Sequence, residues 1–260
     1  MPGRVESLRE GEIGWVIFDH PERRNAISSN MWGELAEAIE VFGQDQAVRV
    51  VIMRGAGDQA FVSGADISQF ENQPGRETQG GLGLDSDAAF RALASLEKPL
   101  IASIHGFCIG GGMAISLYAD LRYAADDARF GIPAARLGVG YGFSGVESLS
   151  RVVGLPRAKE ILFTARRYSA GEAQEMGLVH RVFEKDLLDS SVADLARDIA
   201  RNAPLTVRAV KLASRELERE PAKRDMEVVE AGLRDCFESD DFKEGVAAFM
   251  AKRSPRFQGR

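Results

Sequence analysis

The sequence predicts an α/β protein: an alternating strand–helix core over residues 1–187, followed by an all-helical region over residues 188–260. Three observations carry this. Short β-branched runs such as VRVVIMRGAG (48–57) and PLIASIHG (99–106) end in glycine and alternate with segments of helical period, the pattern of helices laid on a buried sheet. From residue 188 the strand-like runs cease and apolar residues recur at helical spacing. A glycine triplet, Gly110–Gly112, stands where an apolar run passes into a buried helix, within GFCIGGGMAIS (106–116).

Taken in order, GWVIFDH (14–20) reads as a strand stopped by Pro21. A helix follows, capped by Ser29 or Asn30, with Met31, Leu35, Ile39 and Phe42 on one face. The run 48–57 is a buried strand, and AFVSGADISQF (60–70) holds a turn at Ser63-Gly64 before a short helical start. Residues 71–86 are polar and glycine-rich, a surface loop. A helix over 87–96, the strand 99–106, the glycine triplet with its helix, and a strand at DLRYAA (120–125) come next. Short elements are expected to about residue 183, then helices over 188–202, 204–219, 224–237 and 240–252. Val228, Val229, Leu233, Phe237, Phe242, Val246 and Phe249 leave this tail with apolar faces that need the core or other subunits as cover.

Composition narrows the function classes. With 45% hydrophobic and 28% charged residues the chain is an ordinary globular protein, and its 260 residues suffice for one large core. A net charge of −6 excludes a general nucleic-acid binder, though not a local basic patch. Two cysteines, Cys108 and Cys236, and three scattered histidines give no metal or disulfide framework. No apolar run approaches the ~20 residues of a membrane span, so a cytoplasmic location is expected.

Glycine suits places where backbone passes close to a ligand or to another segment. A helix start also offers unpaired N–H groups and the positive end of the helix dipole. A tight turn with close helix–strand packing is the simpler account of a lone triplet. Here a second loop, Gly64-Ala65-Asp66, also follows a buried strand. One N–H from each loop, aimed at one point, makes an oxyanion hole, and one such donor contributes about 3–4 kcal/mol to transition-state stabilisation.

The chain resembles the crotonase (enoyl-CoA hydratase/isomerase) superfamily over nearly its whole length. The matching stretches are HPERRNAIS (20–28), VVIMRGAGDQAFVSGADIS (50–68), KPLIASIHGFCIGGGMAIS (98–116), DLRYAADDARFGIPAARLGVG (120–140), GLPRAKEILFTARRYSAGEAQEMGLVHRVF (154–183) and EGVAAFMAKRSPRF (244–257). The resemblance implies a spiral of ββα units with a helical C-terminal trimerisation region, as a homotrimer or dimer of trimers. It implies a coenzyme A thioester as substrate, with no separate cofactor and no metal. Carried over by position, Ala65 and Gly111 supply the oxyanion N–H groups. Arg24, Ala26, Ile27, Ser63, Asp66 and Ile67 lie along the CoA, and Phe249 and Lys252, from this or another subunit, close over it.

One feature departs from the family. Its hydratases carry a glutamate two residues after the glycine triplet and another after the FGxP stretch. These positions hold Ala114 and Ala134, and alanine transfers no proton. The next polar residue of that segment is Tyr141, in ARLGVGYGFSG (135–145); relatives that decarboxylate malonyl-type thioesters have tyrosine at this offset, although they also have a histidine where this chain has Ala65. Arg136 and Glu147 read as surface charges, Asp66 as a helix cap, and His105 and Cys108 as strand-end packing. Three readings stand: an acyl-CoA enzyme of hydratase/isomerase type, a CoA-thioester decarboxylase or C–C lyase using Tyr141, and a non-catalytic acyl-CoA-binding protein.

Overall fold

A computed structural model describes residues 2–65 and 85–260. It opens with a hairpin, β1 (Arg4–Glu10) antiparallel to β2 (Ile13–Asp19). Strands then come in pairs: β3 (Val50–Gly55) with β4 (Ala60–Val62), β5 (Leu100–Ile104) with β6 (Phe107–Ile109), and β7 (Leu121–Ala125) with β8 (Arg129–Gly131). The first of each pair joins a six-stranded sheet and the second a four-stranded sheet. With β9 (Tyr168–Ser169) and β10 (Arg181–Phe183), the orders are β1-β2-β3-β5-β7-β10 and β4-β6-β8-β9. Pairing is parallel except at β1–β2 and β8–β9. Each turn of chain thus deposits one strand in each sheet, which is the repeating spiral.

Helices fill the connections: α1 (Ser29–Gln44), α2 (Asp85–Ser95), α3 (Gly111–Ser116), α4 (Ala134–Leu137), α5 (Phe143–Thr164) and α6 (Ala170–Glu175). The tail holds α7 (Leu188–Ala200), α8 (Pro204–Glu218), α9 (Met226–Glu238) and α10 (Asp240–Met250). Successive side chains of a strand face opposite sides. Val51, Met53, Leu100, Ala102 and Ile104 therefore enter the core shared with α1 and α2, whereas Val50, Ile52 and Ile101 meet α7 through Leu188, Val192 and Ala196. With both faces covered, β5 is buried at all five positions.

The structure corrects several expectations. RVESLRE forms β1, which the sequence reading passed over because only Val5 and Glu6 are even half-buried. The second sheet is made of two- and three-residue strands, too short to show a period. The stretch expected to hold only short elements contains the 22-residue α5, interrupted at Gly154 (φ 76°) ahead of Pro156. The first cap is Ser28, whose hydroxyl donates to Asn30 Oδ1 at 2.7 Å, and not Ser29 or Asn30. The helical start after Ala65 and residues 71–84 of the expected loop lie outside the described residues, and Asp85 and Ser86 open α2. In the tail, Val228, Leu233, Phe237, Phe242, Val246 and Phe249 remain exposed and Val229 half-buried.

Candidate active site

Two loops meet where the two sheets separate. Gly110 caps α3 with φ 54° and ψ −109°, its N–H donating to Gly131 O at 2.9 Å and its carbonyl accepting from Ala114 N at 3.0 Å. The helix start is pressed onto β4: a Cβ on Gly112 would stand 2.2 Å from Val62 O. Only glycine permits that approach. From the other side comes the loop after β4. Ile27 N donates to Gly64 O at 2.8 Å and Ser63 N to Arg24 O at 3.1 Å, so the segment 24–27 backs this loop. A Cβ on Gly110 would lie 3.9 Å from Gly64 Cα, and one on Gly64 would lie 3.6 Å from Ile109 O. The residues that follow these two glycines, Ala65 and Gly111, are thereby brought together. Among the described residues neither N–H has a hydrogen-bond acceptor.

The 131–134 turn abuts the same point, since a Cβ on Gly110 would also lie 3.9 Å from Pro133 Cδ. Ala134 begins α4, half-buried, and Ala114 is the one half-buried residue of α3. The two alanines therefore occupy partly open positions beside the glycine loops. Tyr141 packs on the core, half-buried. Its hydroxyl is buried without a partner among the described residues. Burial pushes its pKa up to about 12, with nearby Tyr118 adding to the effect. The group is a neutral O–H donor at any physiological pH.

Tyr118 escaped the sequence reading. It is half-buried four residues beyond Ala114, and its ring stacks on Phe90 with centroids 5.1 Å apart and planes at 27°. Burial raises its pKa too. Its spacing of four residues from Ala114 was the available signal, a weak one, because α3 ends at Ser116 before Tyr118.

The expected CoA contacts divide. Arg24 is exposed in a left-handed turn (φ 52°) fixed by its neighbour Asn25, a buried side chain that donates to Ala60 O at 2.7 Å and Ala56 O at 2.9 Å. Ala26 is half-buried, Ile27 is buried and bridges Ala65 in parallel, and Ser63 Oγ donates to Arg23 O at 3.2 Å. These residues gather around the two loops. Asp66 and Ile67 lie outside the described residues. Phe249 (82% exposed) and Lys252 stand at the far end of α10, which packs on α9. The remaining candidates behave as surface or core groups. Arg136 is exposed, Glu147 pairs with Arg151 at 3.1 Å, and His105 and Cys108 are buried. Among the described residues there is no acid, histidine or cysteine cluster suited to a metal, and no helix long and apolar enough to cross a membrane.

Comparison with known proteins agrees with this architecture. The model of the enoyl-CoA hydratase/isomerase family matches residues 9–260. A short-chain-enoyl-CoA hydratase of Clostridium acetobutylicum is 37% identical over 249 residues, 94% of each chain. A peroxisomal Δ(3,5)-Δ(2,4)-dienoyl-CoA isomerase of Arabidopsis thaliana is 35% identical, covering 97% of this chain and 95% of its own. The crystal structure of an enoyl-CoA hydratase/carnitine racemase from Magnetospirillum magneticum superposes with a TM-score of 0.91 at 36% identity, over 98% of this chain and 96% of that one. The chain belongs to the enoyl-CoA hydratase/isomerase family, within the crotonase superfamily.

Proposed function

We propose that this protein is an enzyme that binds an acyl-CoA thioester with its carbonyl oxygen between the N–H groups of Ala65 and Gly111, and stabilises the thioester enolate there. The observation that carries the reading is the meeting of the two glycine loops, which leaves both N–H groups without an acceptor among the described residues. Main-chain donors held this way need no reorganisation as charge develops on the oxygen. The thioester carbon chain then runs past Ala114 and Ala134 towards Tyr141.

Relatives of this chain carry the names hydratase, dehydratase and isomerase. Hydration by paired carboxylates has no counterpart here, because both positions are alanine. Tyr141, protonated and buried, can donate a hydrogen bond or a proton but cannot serve as a base near neutrality. This favours a second reading of the same site: decarboxylation, where the C–C bond to the departing CO₂ supplies the electrons for the enolate and no base is required, or C–C cleavage of a β-ketoacyl thioester, where water must also add to the ketone so that the acyl fragment leaves as a carboxylic acid. Binding without turnover is the remaining alternative.

Incubation with enoyl-, malonyl-, methylmalonyl- and β-ketoacyl-CoA thioesters, read by mass spectrometry, separates the three. A hydroxyacyl product supports hydration, and loss of CO₂ or of an acyl fragment supports the lyase. Tight binding with no product from any member would end the enzymatic reading.

A further inference from the structure

Behind the glycine loop the core buries a guanidinium. Arg122, on β7, is only 6% exposed. Its Nε donates to Leu178 O at 2.7 Å, and its Nη1 donates to Ala119 O at 2.5 Å and to Ser116 O at 3.4 Å. Ser116 is the last residue of α3, and Ala119 N also donates to Ser116 O, at 3.2 Å. The guanidinium therefore gathers carbonyls at the end of the helix that begins with Gly111.

Among the described residues no carboxylate is paired with this charge. Asp120, two positions before it, is engaged by Lys211 at 2.7 Å and by Leu100 N at 2.7 Å. The thiol of Cys108, hydrogen-bonded to Ser116, stays neutral because burial pushes its pKa up to about 12. His180 Nδ1 accepts from Arg122 N at 3.1 Å, and burial, with the charge of Arg122, lowers its pKa. Burial lowers the pKa of Arg122 itself only to about 10, so the group is charged at neutral pH. Desolvating a charge opposes folding, and neutral donors also satisfy carbonyls. What a guanidinium adds over a neutral donor is its positive field.

α3 has six residues, too few to hold a helix unaided. Close backbone approach fixes its first turn, through Gly112 on Val62 and Gly110 N on Gly131 O. Arg122 fixes the other end. At about 1.5 Å of rise per residue, its charge stands roughly 10 Å from the Gly111 N–H. We infer that Arg122 is a positioning residue of the thioester site: it holds α3 by its C-terminal carbonyls and sets a buried positive charge behind the Gly111 N–H, where negative charge develops on the thioester oxygen. The inference rests on the reading of Ala65 and Gly111 as the thioester-binding pair. A unit charge about 10 Å away, at an effective dielectric constant of about 20, changes a rate on the order of tenfold.

Isotope-edited infrared spectroscopy of bound butyryl-CoA, carrying carbon-13 at its carbonyl, tests this, because the carbonyl stretch falls as the oxygen is polarised. The parent should lower the stretch relative to free ligand. Arg122→Gln and Arg122→Met, which remove the charge, should lose much of that shift while binding butyryl-CoA nearly as tightly in calorimetry. With any substrate that the parent turns over, kcat should fall about tenfold at nearly constant KM. Arg122→Lys keeps the charge and should keep most of the shift at neutral pH. A buried lysine gives up its proton more readily than arginine, so the shift in Arg122→Lys should shrink between about pH 7 and pH 9 while the parent's holds. Thermal melting shows which variants fold. Unchanged shifts in the folded uncharged variants, or a flat pH profile in Arg122→Lys where those do not fold, would overturn the role of Arg122 and leave the thioester reading standing. A parent that fails to bind butyryl-CoA, or binds it without lowering the stretch, would overturn both.

Discussion

Gly145 lies flat against the ring of Tyr141: a Cβ at position 145 would stand 2.7 Å from Cε1 and 3.0 Å from Cζ. The first turn of α5 thus holds the phenol in place by contact with bare backbone. An alanine at 145 gains about 1 kcal/mol in helix propensity and incurs roughly 1–3 kcal/mol of overpacking. Gly145→Ala should therefore lower stability by about 1 kcal/mol in urea denaturation and reduce any turnover that depends on Tyr141. A more stable, fully active variant would mean that the ring is free to move aside.

Hydration of crotonyl-CoA should be very slow. Each missing acid or base group is worth about 10²–10⁴-fold in rate, and both positions that would hold one are alanine. Ala134→Glu, or the double variant with Ala114→Glu, should raise hydration measured by loss of enoyl absorbance. Rapid hydration by the parent, indifferent to Tyr141→Phe, would require a water-activating group outside Tyr141 and the alanine pair.

The raised pKa of Tyr141 links to stability at high pH. Below pH 10 both folded and unfolded phenols are protonated and the group has no pH effect. Between 10 and about 12 the unfolded phenol ionises while the folded one does not, so stability falls as pH rises through this window. Tyr141→Phe should lose less stability than the parent across pH 10–12, and an absorbance titration should show one fewer late-ionising tyrosine. Identical alkaline curves for the two proteins would contradict a buried Tyr141 hydroxyl.

Assembly is the fourth expectation. Val210, Leu217, Leu233, Phe237 and Val246 are each more than half exposed in the single chain, more apolar surface than an isolated helical tail keeps in water. Light scattering should find a trimer or hexamer, and Phe237→Glu should dissociate it. A stable monomer at micromolar concentration would leave these faces unexplained.

The fold's main outlines were legible in the sequence because they rest on local periodicity. Val50–Met53 and most of Leu100–Ile104 are apolar, and Met31, Leu35, Ile39 and Phe42 recur at helical spacing, so burial pattern and sequence pattern coincide. β1 carries no such signal, since its partner β2 supplies the hydrogen bonds while all its side chains except those of Val5 and Glu6 are exposed. Neither do the three-residue strands of the second sheet, which exist only because longer elements align them.

The candidate site divides in the same way. Sequence by itself determined which residues are available: glycine loops at 64 and 110–112, alanine at 114 and 134, and a tyrosine at 141. Only tertiary structure decided that the Gly64 and Gly110 loops touch, that Gly112 rests on Val62, and that Tyr118 stacks on Phe90. It also brought Arg122 and Leu178, 56 positions apart in the chain, into hydrogen-bond contact. The physical reason is that periodicity reports what a residue does within its own element. Contacts between elements arise from sheet register and close backbone approach, which depend on every strand of the spiral at once.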